Sequence, residues 1–258
     1  MRYDKQNKKL MALQDEVERL RTENELLNGE SQSIKEILDS TLHEVRRFSA
    51  QLLKFAERLS RDTDRQKQLN TTVMSIFYTA GMISARLAYT DIELNPKALE
   101  SQTPIRSVIY KKFDKAKRIL AEEAKDRRIE VRLKGESRVE IDALPVFELL
   151  PFVLLDNGIK YSPPDQTVTV EFKEHLGRQI VTVISMGPTV SSEELPNLFD
   201  KGFRGTSTKS LPGQGLGLFL AKSVCGFHGI TILAESKPEV AYKFNGINYS
   251  EFMVKIEI

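Results

Sequence analysis

Apolar residues recur at alternating steps of three and four through the first sixty positions of this chain, and that repeat constrains the fold more than any other feature. Leu10, Val17, Asn24, Ser31, Leu38, Val45, Leu52 and Leu59 share one position, and Leu13, Leu20, Leu27, Ile34, Thr41, Phe48 and Phe55 share the other. A sustained period of 3.5 residues keeps one stripe of a helix turned to a partner helix along its whole length, as a coiled coil requires and a globular core does not. Asn24, polar at an inner position, costs stability but penalises shifted registers and favours two parallel strands, so a parallel dimer is expected. Gly29 and Ser31, in "NGESQS", weaken the seam and mark a softer joint.

The polar stretch "RLSRDTDRQ" suits a turn, and beyond it the same spacing returns through Leu69, Val73, Ile76, Ala80, Ile83 and Leu87. Two such hairpins, one per chain, make a four-helix bundle. Counted from the seam, Val45 and Phe48 point inward, while His43, in "STLHEVRRF", lies farthest from the partner helix. An exposed imidazole is largely neutral near pH 7 and reachable, which suits a phosphoacceptor and equally suits an ordinary surface residue.

Past Asn95 and Pro96 the texture changes to alternating short elements, and the fold class expected is α+β, with helices over a mixed sheet. Residues 105–127 read as an amphipathic helix, "IEVRL" and "RVEID" as strands, and 143–159 as a helix. "TVTVEF" and "QIVTVIS" read as a hairpin turning at His175 to Gly177, and Phe252, Val254, Ile256 and Ile258 as one face of a last strand. The organisation expected is a coiled-coil signalling helix over 1–30, a helical hairpin over 31–95 and a compact domain over 96–258.

Charge narrows the partners. The 38 basic and 36 acidic residues are interspersed and leave a net charge of +2, so no field is present to gather nucleic acid or an anionic membrane. A single cysteine, Cys225, excludes a disulfide framework and a cysteine-rich zinc site, and fits a reducing, cytoplasmic location. The longest apolar stretch, "LPVFELLPFVLL", is interrupted by Glu148 and Pro151 and falls short of the roughly 20 residues a membrane helix needs, so no membrane segment and no secretory signal are expected.

Three stretches of the compact domain carry chemistry. "LLDNGIKYSPP" places Asn157, Lys160 and Tyr161 at helical intervals, a carboxamide oxygen suited to Mg²⁺ with a cation one turn on; a simple helix end capped by Gly158 or Ser162 reads the same way. "SMGPTV" leads into "NLFDKGFRG", where Gly187 lets a flat ring approach the backbone and Arg204 can meet a phosphate. "GQGLGLFLAKSV" sets Gly213, Gly215 and Gly217, with Leu216 between them, at a helix start, where amides and the helix dipole attract phosphate; helix capping alone also explains it. The preceding "GTSTKSLP" reads as a lid loop or a linker.

Taken in order, "LHEVRR", "LLDNGIKYSPP", "SMGPTV", "NLFDKGFRG" and "GQGLGLFLAKSV" resemble the H, N, G1, F and G2 boxes of bacterial sensor histidine kinases. Their ATP-binding fold, the GHKL or Bergerat two-layer sandwich, is shared with type II topoisomerases, Hsp90 and MutL. The resemblance covers roughly residues 31–258, and it rests on the order of several boxes rather than on any one of them. It implies ATP and Mg²⁺ as cofactors, His43 as phosphoacceptor and Glu44 as its polariser or base. It assigns Asn157 to the metal, Lys160 and Tyr161 to the phosphates, Ser185 and Gly187 to the base pocket, and Gly213, Gly215 and Gly217 to the lid and phosphate site. A homodimer through residues 10–95 and a response-regulator receiver domain are the partners implied.

Departures from the family pattern carry expectations of their own. Ser185 stands where the family has an adenine-reading Asp, and Thr189 replaces the second glycine of that box. Val153 stands where a second Asn or a water-activating Glu is usual, which speaks against a clamp-type ATPase. Arg47 replaces the usual Thr or Asn four places after the histidine, which argues against phosphatase activity, and Phe48 replaces the usual Pro and leaves the helix unkinked. A dimeric scaffold with a degenerate nucleotide pocket is the rival reading. His175, His228 and Cys225 are expected to be structural or solvent-exposed.

Overall fold

A computed structural model describes residues 2–61, 66–175, 178–209 and 211–258. The turn expected within "RLSRDTDRQ", the tip of the expected hairpin at Leu176 and Gly177, and the side chains of Leu10, Leu59, Leu69 and His175 lie outside the described residues.

Helix α1 runs over Arg2–Arg61 without interruption, through Gly29 and through Phe48. No break marks the softer joint expected at "NGESQS". Helix α2, Gln66–Leu94, folds back along it. The two are joined by polar contacts as well as apolar ones: the Thr41 and Thr90 hydroxyls lie 2.8 Å apart, and Arg86, almost wholly buried, donates to Ser40 Oγ at 2.9 Å.

Within the single chain the expected inner residues fall into two groups. Leu13, Val17, Leu20, Leu27, Ile34 and Leu38 of α1 remain about half exposed, whereas Thr41, Phe48 and Phe55 are buried within their own chain. The Phe48 ring meets that of Phe152 edge-on, with centroids 5.3 Å apart. On α2 the expected inner residues Val73, Ala80 and Leu87 are exposed, and the buried face carries Thr79, Met82, Ala85, Arg86, Tyr89 and Thr90. The buried group, with Phe48, Met82, Ala85 and Tyr89, faces the second half of the molecule, and the exposed group is left open along the hairpin.

That second half is an α+β sandwich. Strand β1, Ile105–Val108, pairs antiparallel with β3, Glu140–Ala143, as a separate two-stranded sheet. The single helix expected over 105–127 is therefore a strand followed by α3, Ile109–Ile119, and α4, Ala121–Asp126. The main sheet has the order β2, β4, β5, β8, β6, from Glu130–Lys134, Thr167–His175, Arg178–Pro188, Ile247–Glu257 and Thr231–Ser236, with β7, Tyr242–Phe244, added to β8. Only β2 and β4 pair in parallel, so the sheet is mixed, as expected.

Helix α5, Leu149–Tyr161, is apolar on nearly every side because it lies in the middle of the layer, between the sheet and α3 and α6 (Gly217–Phe227). Gly158 lets it sit down on the sheet: a Cβ there would come within 2.9 Å of Val168 Cγ1. One continuous apolar core joins both halves of the chain, from Phe48, Met82 and Tyr89 to Phe113, Phe147, Leu155 and Val181. Among the described residues no helix is long and apolar enough to cross a membrane.

Candidate active site

The period of two along β5 turns Val181, Val183, Ser185 and Gly187 toward the helix layer. Val183, Ser185 and Gly187 form the floor of a cavity of about 440 Å³, walled by the end of α5, the start of α6, residues 203–208 and 212–215 and the middle of α1. A volume of that order suits a small organic ligand. Its two ends differ. One is apolar, with Val183, Leu198, Phe252 and Val254; the other holds Asn157, Lys160, Tyr161 and the glycine turn.

The glycines at that polar end are demanded by contact. Gly215 has φ +71°, and a Cβ there would stand 2.5 Å from the Phe203 carbonyl oxygen. A Cβ on Gly217 would fall 2.9 Å from Asn157 Nδ2, so the α6 N-terminus closes directly over the Asn157 carboxamide. Gly213, at φ +153°, leaves just room for Lys160 Nζ and the Tyr161 hydroxyl. Leu216 precedes the first helical residue of α6, whose leading amides have no partner within the helix and point their positive dipole end at the cavity.

Electrostatics favour an anion here. Burial lowers the Lys160 pKa, an effect opposed by the nearby Asp156, so an incoming phosphate would relieve an ammonium that is poorly solvated. Burial likewise raises the Tyr161 phenol. Arg204, expected to meet phosphate, instead donates Nη2 to the backbone carbonyls of Thr208 and Leu211 and so shapes the loop, while its Nε is buried without a partner. Glu194 anchors the same loop, accepting from the Thr206 amide at 2.7 Å and its hydroxyl at 2.9 Å.

His43 lies on the rim of the same cavity, exposed to solvent. Glu44 does not turn to it. Neighbours in sequence point to different sides of a helix, and the Glu44 carboxylate lies 2.9 Å from Arg86 Nε on α2, a charge contact whose N–H is not aligned with the oxygen. Burial raises the Glu44 pKa, against the pull of Arg86 and Arg47.

Asn157, Lys160, Tyr161, Ser185, Gly187, Arg204, Gly213, Gly215, Leu216 and Gly217 thus share one cavity with His43 and Glu44. Ser185, buried, lines its floor, and Gly187 keeps the strand close to Phe252, whose Cβ would stand 3.1 Å from a Cβ there. Asp156 was not singled out from sequence. It lines the cavity and pairs with Arg47, 109 positions away, a relation that no local pattern carries. Away from the cavity, His228 accepts from the Leu144 amide through Nε2 at 3.0 Å and pairs Nδ1 with the Val224 carbonyl at 2.7 Å, and burial pushes the Cys225 thiol up to about 12.

Comparison with known proteins agrees with this geometry. Residues 149–252 match the family described as histidine kinase-, DNA gyrase B-, and HSP90-like ATPase. Over these residues the chain carries a domain of this ATPase family. Its relatives include the adaptive-response sensory kinase SasA of Gloeothece citriformis, 25% identical over 248 residues, which cover 85% of this chain and 58% of that protein. The signal transduction histidine-protein kinase/phosphatase MprB of Mycolicibacterium vanbaalenii is 40% identical over 83 residues, 32% of this chain and 17% of that protein. The chain thus spans little more than half of the first relative and less of the second. A solved structure of the mycobacterial sensor histidine kinase MprB is 21% identical, with a TM-score of 0.47 over 60% of this chain and 97% of that one. The matched domain begins at α5 and ends in β8, so it contains the polar end of the cavity and its floor.

Proposed function

We propose that this protein is an ATP-dependent protein histidine kinase of a two-component system, which phosphorylates itself on His43 and passes the phosphoryl group to an aspartate of a response-regulator receiver domain. One observation carries the reading: His43 borders the same cavity as Asn157, Lys160 and the glycine turn. The organisation that goes with it is a signalling coil over 1–30, a phosphotransfer hairpin over 31–95 and an ATP-binding domain over 96–258, working as a cytoplasmic homodimer. The apolar residues left exposed on α1 and on α2, among them Leu20, Leu27, Ile34, Leu38, Val73 and Leu87, support a second copy as the partner.

ATP is the phosphoryl donor. A lone pair on an imidazole nitrogen of His43 attacks the γ-phosphorus, the N–P bond forms, the bond to the β,γ-bridging oxygen breaks, and its electron pair leaves with ADP. The proton on the other ring nitrogen passes to water, which the exposed ring can reach. A loose transition state needs little from the protein beyond alignment and charge compensation. Lys160 and the α6 amides supply compensation at the phosphates, and Asn157 offers one hard oxygen. Among the described residues no cluster of three His, Cys, Asp or Glu side chains is placed to hold a metal ion. Mg²⁺ needs few protein ligands, and the Asn157 carboxamide oxygen would be one of them. Bound there, the ion would neutralise charge on the transferring phosphoryl group.

Labelled ATP tests the reading. Incubation with γ-³²P-ATP should give acid-labile label on the wild-type chain and none on His43→Gln. Nucleotide binding without label would favour the scaffold, and steady phosphate release independent of His43 would favour a clamp-type ATPase. Ser185→Asp, which restores a charged acceptor to the floor, should tighten binding of an adenine nucleotide by about tenfold, the worth of a charge-assisted hydrogen bond over a neutral one; calorimetry reads it.

A further inference from the structure

His43 and the nucleotide cavity face one another because the phosphoacceptor helix is pinned to the ATP-binding domain of its own chain, and one residue ties that helix to two helices of the domain. Arg47 stands one helical turn after His43, on the same face of α1. Its guanidinium donates through Nη1 to Asp156 Oδ2 at 3.1 Å, through Nη2 to Asp156 Oδ1, and through Nη2 to Glu123 Oε2 at 3.0 Å. Its plane also lies 5.6 Å from the centroid of the Phe152 ring. The two carboxylates sit on different helices, α4 and α5, and Asp156 immediately precedes Asn157. A forked cation between them fixes both the distance of α1 from α5 and the rotation of α1 about its axis, and that rotation sets where His43 points.

Other contacts agree on the same partner. Phe48 packs on Phe152, and Lys201 beside the loop reaches Glu93 of α2 at 3.0 Å. The connection from α2 to β1, residues 95–104, is short and folded on itself, with the Ala98 amide bonded to the Asn95 carbonyl at 2.8 Å and the Gln102 amide to that of Leu99 at 3.2 Å. It does not extend the ATP-binding domain toward another chain.

We infer that transfer to His43 takes place within one chain, with Arg47 as the positioning residue that clamps the phosphoacceptor helix onto its own ATP-binding domain. This rests on the kinase reading given above. Arg47 neither gives nor takes a proton in the step already written; it aligns the imidazole nitrogen with the γ-phosphorus.

Mixed dimers decide the question. One full-length chain carries His43→Gln and keeps its nucleotide site; the other keeps His43 and carries Asn157→Ala. Each bears a different affinity tag, so that the mixed species is isolated before γ-³²P-ATP is added, with wild type alongside. Transfer within a chain predicts labelled wild type and an unlabelled mixed dimer. Label on the Asn157→Ala chain would overturn the inference while leaving the kinase reading intact, whereas unlabelled wild type would remove both.

Arg47→Gln supplies the second readout. Its labelling rate at saturating ATP should fall by about 10²-fold, the cost of an ångström-scale misplacement of reactants, with affinity for a non-hydrolysable ATP analogue unchanged. Arg47→Lys, which keeps the charge but not the fork, should recover part of the rate. Labelling of Arg47→Gln at the wild-type rate would deny Arg47 its role.

Discussion

The two halves of α1 share one heptad and meet different surroundings. From Leu13 to Leu38 the apolar stripe stays about half exposed among the described residues. From Thr41 to Phe55 the same stripe is buried, and it is buried by α2 and by the ATP-binding domain. The difference teaches that a 3.5-residue period specifies a stripe that must be covered, and leaves open what covers it. In the first half the stripe is left open among the described residues, and in the second half the chain supplies its own cover.

The largest effect should therefore come from the half that lacks a cover. Leu20→Asp with Leu27→Asp removes four inner leucines from a dimer and should weaken self-association by about 5 kcal/mol or more, several thousandfold. Sedimentation velocity reads this, and nucleotide binding should survive it. Loss of the ATP-binding fold in that variant would show that the two halves are not separable.

Next comes the half with the internal cover. Phe48→Ala empties a site buried between α1 and α5 and should cost about 4 kcal/mol in denaturant unfolding. An unchanged midpoint would mean that α1 and the ATP-binding domain do not share a core.

A smaller, pH-dependent effect belongs to Glu148, in the turn before α5 on which α2 packs. Its carboxylate accepts from Lys112 Nζ at 2.6 Å and lies 3.0 Å from Lys115 Nζ. Burial would raise its pKa, but the two lysines outweigh burial and the net shift is downward. A lowered carboxylate contributes stability above its unfolded pKa, near 4.3, and loses it as pH falls through the folded value. Glu148→Gln should thus cost about 2 kcal/mol at pH 7 and nothing once the wild-type carboxyl is protonated. A pH-independent difference between the two proteins would contradict this.

Much of the fold is legible in the sequence where the signal is local and periodic. The two long helices, the β4–β5 pairing, the last strand and the glycine turn all announce themselves by spacing or by residues with few substitutes. Strand β1 does not. "IRSV" is four residues long, mostly exposed, and runs straight into the amphipathic α3, so its pairing with β3 depends on a contact across more than thirty positions. β6 and the three-residue β7 are also missed, although both pair with the nearby β8. The phase of α2 is hidden by its chemistry: Thr79, Thr90 and Arg86 are buried because their polar groups bond to the backbone, to Thr41 or to Ser40, and a hydrophobic pattern cannot see a satisfied polar face.

The candidate site divides along the same line. Asn157, Lys160 and the glycines are readable because a helix end and a glycine turn are contiguous in sequence. The Arg47–Asp156 pair is not, and Glu44, adjacent to His43, turns out to belong to Arg86.

The central claim is that a phosphoryl group from ATP comes to rest on the exposed ring of the phosphoacceptor helix. Mass spectrometry at neutral pH, on peptides from the full chain after incubation with Mg-ATP, reads it most directly. A phosphoryl group mapped to the peptide holding His43, lost on acid treatment, is the result expected. A phosphoryl group on any other residue, or none on a protein that binds the nucleotide, would contradict it.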